Sequence, residues 1–163
     1  MNLKISLLIT FCFGSFLGAM AQTSDAEADA VVNLLGVQKK EAVAKLVHVT
    51  GKDSVAFWKI YDEYQQVNKA TAKTRIGLYE KTAQAYTNMT PAIADSLAGQ
   101  YFNNRIAQEK TLHTYYKKIK DATNAVTAFE FYQAEVYILT AIRAQIMQKV
   151  PTYGQVHAAA RKN

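Results

Sequence analysis

Helix-breaking residues are rare in this 163-residue chain, and their scarcity constrains the fold more than any other feature. After the first 21 residues, the only glycines and prolines are Gly36, Gly51, Gly77, Pro91, Gly99, Pro151 and Gly154. The sequence shows no segments that alternate apolar and polar residues between turn signals, and no repeat of solenoid length. The pattern therefore predicts an all-α fold.

Four helices are predicted, and their bounds are set by the breakers and by residues that favour helix ends. They cover about residues 30–48, 51–88, 91–121 and 125–149. The second and third are long and joined by a short link, so we expect a long antiparallel helical hairpin within a bundle or cradle of about four helices. Two of the helix starts carry capping signals, Thr50 with Asp53 and Thr90 with Pro91.

Helical periodicity assigns an inward face to each of the last three helices. In the second helix this face contains Phe57, Ile60, Tyr61, Tyr64, Thr71, Leu78, Tyr79 and Tyr86. In the third it contains Ile93, Leu97, Tyr101, Leu112, Tyr115 and Ile119. The fourth helix is apolar over a wide arc and should be the most buried, with Ala128, Phe131, Tyr132, Leu139, Ile142, Ile146 and Val150 facing inward.

Residues 1–21 are typical of a secretory signal peptide. Lys4 supplies the basic start, residues 5–17 an apolar stretch, and residues 19–21 an A-x-A cleavage site. The apolar stretch is short for a transmembrane span, although a retained anchor is the alternative. We therefore expect a periplasmic or otherwise exported protein, with no transmembrane segment after cleavage.

The mature chain should hold a single helical domain between two less ordered ends. The predicted organisation is a signal peptide at 1–21, a flexible lead at 22–30, a helical domain at 31–150 and a basic C-terminal tail at 151–163. Removal of Lys4 with the signal leaves 18 Lys and Arg against 13 Asp and Glu, a net charge of +5. Cys12 is also removed, which excludes disulfides, thiolate metal sites and cysteine nucleophiles.

No catalytic constellation is recognisable, and we expect neither an enzyme nor a bound cofactor. The three histidines fall on different predicted elements, without zinc-binding spacing. Glu109 and His113 are four residues apart, which suits a surface pair better than a di-metal site. A haem held by histidine and methionine is the remaining cofactor option, with Met89 and Met147 available.

Two charged residues fall on faces that should be buried. Arg75 lies on the inward stripe of the second helix, whose middle is unusually polar because Asn68 lies there too, and Glu135 lies on the stripe of the fourth. If both are desolvated they need partners, and they could form a structural pair that sets the helix register. The alternative is that Arg75 extends past a tyrosine ring to water.

The candidate partner-binding surface is the second face of the third helix. It carries apolar residues at its start and cationic ones toward its end, namely Phe102, Ile106, Lys110, His113, Lys117 and Lys120. Lysines near a helix C-terminus also complement the helix dipole. Phe102 and Ile106 could instead pack on the first helix, or they could form a partner-binding or dimer surface.

The chain resembles the periplasmic Spy/CpxP-related proteins in three places. These are residues 49–53 with 57–64, a second helix start at 89–93, and the fourth helix from Phe131 to Pro151. L-T-x-x-Q motifs open helices in that family. Here Val49 and Met89 replace the leucine, and Asp53 and Ile93 replace the glutamine. The resemblance implies an all-helical, often dimeric cradle that holds unfolded clients or a stress-sensor domain, and some relatives are metal-responsive sensors.

The sequence therefore predicts an exported binding protein of chaperone or envelope-stress type that holds partly unfolded polypeptides without ATP. Ten tyrosines beside a basic surface could also suggest nucleic acid, but export argues against such a partner. One alternative is a signalling adaptor for a dedicated envelope sensor, and another is a metal or small-molecule carrier. A homodimer is a further option for any of them.

Overall fold

The computed structural model describes residues 25–161, which are helical over most of their length. Four long helices and one short helix follow one another: α1 (Asp25–Leu46), α2 (Gly51–Ala85), α3 (Pro91–Ala122), α4 (Ala125–Lys149) and α5 (Tyr153–Ala160). The predicted all-α fold is confirmed. The bounds of α4 agree with those expected, because Asn124 and Pro151 bracket it.

The helices α2 and α3 form the predicted antiparallel hairpin. Contacts along α2 at Glu63, Arg75 and Thr82 meet α3 in reverse order, at Lys118, Asn104 and Tyr101. The helix α1 packs against α2 and α4, and α4 also packs against α3. The core lies where the four long helices meet, and its most enclosed apolar side chains are Val43, Phe57, Tyr61, Tyr64, Ile119, Ala128 and Phe131.

The predicted helix starts differ in how they are capped. The Thr90 hydroxyl accepts a hydrogen bond from the Ile93 backbone N–H at 3.3 Å, with Pro91 at the first helical position, as predicted. Thr50 occupies the N-cap position of α2, but its side chain makes no capping hydrogen bond. The next residue, Gly51, has a φ of +57°, so the chain enters α2 along a path that a standard N-cap does not take.

Both ends of the described region, residues 25–161, are more helical than the sequence suggested. The helix α1 begins at Asp25, inside the expected flexible lead, and residues 153–160 of the expected basic tail form α5. A capping box at Thr152 and Gln155 starts α5, and the Tyr86 hydroxyl donates to the Pro151 carbonyl at 2.7 Å. The predicted signal peptide lies outside the described residues.

Within residues 25–161, none of the helices is both long and apolar enough to cross a membrane.

The two threonine caps provide a matched test of the structure. Thr90→Ala removes a side-chain acceptor from a helix start, so the free energy of unfolding should fall by about 1 kcal/mol. Thr50→Ala removes no capping hydrogen bond, and the loss should stay within about 0.5 kcal/mol. Urea unfolding of both variants measures the difference, and equal losses would contradict the observed cap geometry.

Candidate functional site

The outward face of α3 carries all six predicted partner-binding residues at its surface. Phe102 is 68% exposed and Ile106 is 51% exposed. The cationic members of the set are exposed as well, namely Lys110, His113, Lys117 and Lys120. We call the six residues together the basic strip. Helical periodicity places it opposite the buried face of α3. That buried face consists of Leu97, Asn104, Gln108, Leu112, Tyr115 and Ile119.

Packing on α1 was one of the two outcomes predicted for Phe102 and Ile106. The structure shows that α1 does not cover them. The helix α1 lies against α2 and α4 instead, so none of the helices in residues 25–161 packs over the outward face of α3. Single exposed apolar residues are ordinary on protein surfaces, but two large ones at i and i+4 beside a row of cations form an amphipathic stripe.

A second exposed apolar cluster, which was not predicted from the sequence, lies on α4. Phe129, Tyr132 and Val136 are 51%, 41% and 38% exposed, and the rings of Phe129 and Tyr132 are stacked with centroids 6.4 Å apart. We call these three residues the aromatic patch. Tyr132 was expected to face inward, yet α4 has packing partners on only part of its circumference. The apolar arc of α4 is wider than its neighbouring helices can cover, and this was the sequence signal that could have predicted the exposed patch.

The lysine end of the basic strip and the aromatic patch lie at the same height along adjacent helices. Tyr64 contacts both Tyr115 and Phe131, with ring centroids 5.4 and 5.3 Å apart, which places those two residues level with each other. Because α3 and α4 are antiparallel neighbours, Lys117 is then level with Phe129. Cationic and aromatic side chains therefore share one end of the molecule.

Glu135 is the most unusual buried residue, since its carboxylate is fully enclosed. Lys39 Nζ lies 2.8 Å from Glu135 Oε2, and the Tyr64 hydroxyl donates to the same oxygen at 2.6 Å. The Tyr61 hydroxyl donates to Oε1 at 3.2 Å. This Glu135 network joins α1, α2 and α4, and the buried charge is satisfied by one ammonium and two phenols.

The prediction that Arg75 pairs with Glu135 is wrong. Arg75 Nε donates to Asn104 Oδ1 at 2.6 Å, and Glu135 pairs with Lys39. Arg75 is eleven residues beyond Tyr64, about 16 Å along α2, and so lies well past the level of Glu135. The expectation that Glu135 would be buried and paired was correct.

The two phenols of the Glu135 network hold their protons tightly. Burial is the largest cause that raises the pKa of Tyr61 and of Tyr64 far above the ordinary value, followed by the negative charge of Glu135 and the hydrogen bond to it. A carboxylate enclosed to this degree cannot meet a substrate, so the network is structural rather than catalytic.

Metal-binding residues do not converge within the described part of the chain. No group of three or more His, Cys, Asp or Glu side chains in residues 25–161 could hold a metal ion. Glu109 and His113 are both exposed on α3.

Comparison with known proteins adds no relative: no protein-family model, no characterised protein and no solved structure matches the chain.

Removing the charge of Glu135 should be costly. In Glu135→Gln the Lys39 ammonium stays buried without an anion, so we expect the free energy of unfolding to fall by about 3 kcal/mol. The matched control is Glu63→Gln, which breaks the exposed pair with Lys118 at 3.4 Å and should cost less than about 1 kcal/mol. Denaturant unfolding measures both, and similar small losses would show that the network contributes little.

Stability should also depend on alkaline pH. Tyrosines ionise near pH 10 in an unfolded chain, whereas Tyr61 and Tyr64 keep their protons to higher pH in the fold. Their stabilisation is complete below about pH 10 and is lost as the pH rises further, by about 1.4 kcal/mol per pH unit for each tyrosine. Urea unfolding at several pH values between about 9 and 11 measures how steeply the free energy of unfolding falls with pH. Tyr64→Phe should make it shallower, and an unchanged slope would contradict this assignment.

Proposed function

We propose that this protein is an exported, periplasmic helical binding protein that holds partly unfolded polypeptides without ATP, and that it is not an enzyme. The observation that carries the proposal is the basic strip, where Phe102 and Ile106 stand exposed on the same helix face as Lys110, Lys117 and Lys120. The aromatic patch on α4 extends the apolar surface at the lysine end of that strip.

The charges and the apolar residues would act at different stages of binding. Lysines attract acidic segments over a distance of about one Debye length and so speed the encounter. Exposed apolar and aromatic side chains then contact the apolar segments that an unfolded chain displays. A surface of this kind needs no nucleotide, because client release follows from the client's own folding.

Export is supported by the predicted signal peptide at residues 1–21, and the client type by the resemblance to the Spy/CpxP-related proteins. That family membership is part of the proposal. The basic balance of the mature chain, +5 after removal of Lys4, also suits acidic partners.

The charge contribution can be tested by light scattering of an acidic client, reduced α-lactalbumin, as it aggregates. The double variant Lys117→Glu and Lys120→Glu should slow client capture by about tenfold at low salt, because attraction becomes repulsion. The matched control is Lys52→Glu with Lys59→Glu, which makes the same charge change on exposed positions of α2 and should have a much smaller effect. Raising the salt concentration should reduce the difference between the pairs.

The apolar contribution is tested with Phe102→Ser and Ile106→Ser combined. Loss of two large side chains from the contact should weaken client affinity by about tenfold. Val55→Ser with Val67→Ser is the control, since these residues are 75% and 52% exposed on α2. If the Phe102 and Ile106 double variant suppresses aggregation as well as its control and the unaltered protein do, the basic strip is not the client surface. Absence of any suppression, together with a saturable complex with one envelope protein, would favour the signalling adaptor.

A further inference from the structure

A groove of about 540 Å³ lies where the four long helices converge, on the inner side of α3 and away from the basic strip. Most of its wall is apolar and includes Leu35, Ile76, Leu139, Ile142 and Ile146. Its size and its mainly apolar wall with a few polar groups are typical of sites for small molecules. The polar groups decide which molecule suits it.

Two guanidinium groups face the groove side by side. Arg75 Nε donates to Asn104 Oδ1 at 2.6 Å, and Arg143 Nη2 donates to Gln108 Oε1 at 2.7 Å. Asn104 and Gln108 are one turn apart on the buried face of α3, so they hold the two guanidiniums at adjacent levels. Both acceptors are neutral amides, which orient the cations without neutralising them.

The groove has an excess of positive charge at this end. Burial lowers the pKa of Arg143, and the neighbouring charges of Arg75 and Arg105 lower it further. Tyr79 and then Glu109 act in the opposite direction, and Glu109 is exposed. Among residues 25–161, the lining residues Lys39 and Lys40 pair with Glu135 and Asp62, and neither guanidinium takes part in an ion pair.

We propose that this groove binds a small amphipathic carboxylate with an alkyl chain. The carboxylate would sit between Arg75 and Arg143, and the alkyl chain would lie along Leu139 and Ile142. An anion at this position offsets two like charges at once, and charge-assisted hydrogen bonds to guanidinium are among the strongest available. The site is separate from the client surface and does not depend on it.

The head group is tested by calorimetric titration of the purified protein with octanoate and with octan-1-ol. We expect octanoate to bind at least about tenfold more tightly, since only the carboxylate meets the two guanidiniums. Equal binding of octanoate and octanol, or no octanoate binding at millimolar concentration, would overturn the proposal.

Variants locate the site. Arg75→Gln and Arg143→Gln should each weaken octanoate binding by about tenfold, whereas Arg105→Gln, which removes an exposed charge from α3 outside the groove wall, should change it less than about twofold. Arg75→Lys keeps a cation and should retain more binding than Arg75→Gln, which separates loss of charge from loss of fold. Equal effects of the Arg75 and Arg105 substitutions would contradict the assignment.

Discussion

The structure depends on the enclosed carboxylate of Glu135. A buried charge is tolerated only where partners replace the water it has lost, and here Lys39 and the hydroxyls of Tyr61 and Tyr64 supply them. Because these partners come from α1 and α2 while Glu135 belongs to α4, the three helices have one register that satisfies the charge. The ring contact of Tyr64 with Tyr115 then connects α3 to the same point.

The helix α3 separates two chemically different surfaces. Its inner face presents Asn104 and Gln108, whose amide oxygens hold Arg75 and Arg143 at the edge of an apolar groove. Its outer face presents the basic strip to solvent. The same helix therefore supports an enclosed site of small-molecule dimensions and an open surface that suits an extended partner. The polar middle of α2, which is unusual on a core-facing stripe, belongs to the groove.

Much of the candidate surface could be predicted from the sequence, because a helix has a fixed angular spacing. The residues of the basic strip share one arc whatever α3 packs against, and the core stripe lies on the other side. The aromatic patch could not be predicted in the same way. Its exposure depends on how many neighbours α4 has, and periodicity within one helix carries no information about that number.

Partner choice between helices was the least predictable feature. Arg75 and Glu135 were each recognised as charges on inward stripes, but which cation reaches Glu135 depends on the relative heights of α1, α2 and α4. Thr50 shows the same limit locally. The start of α2 was predicted correctly, but the sequence did not reveal the positive φ of Gly51 or the missing capping hydrogen bond of Thr50.

The sequence by itself determined the all-α class, the hairpin of α2 and α3, the start of each later long helix and the composition of the two faces of α3. These follow from interactions within a few residues, such as the Thr90 cap and the i to i+4 spacing. Only the tertiary structure decided that Lys39 neutralises Glu135, that Arg75 and Arg143 meet at a groove, and that Phe102 remains uncovered. Those outcomes depend on contacts between residues distant in the chain, whose register is set by packing and by the cost of leaving a buried charge without a partner.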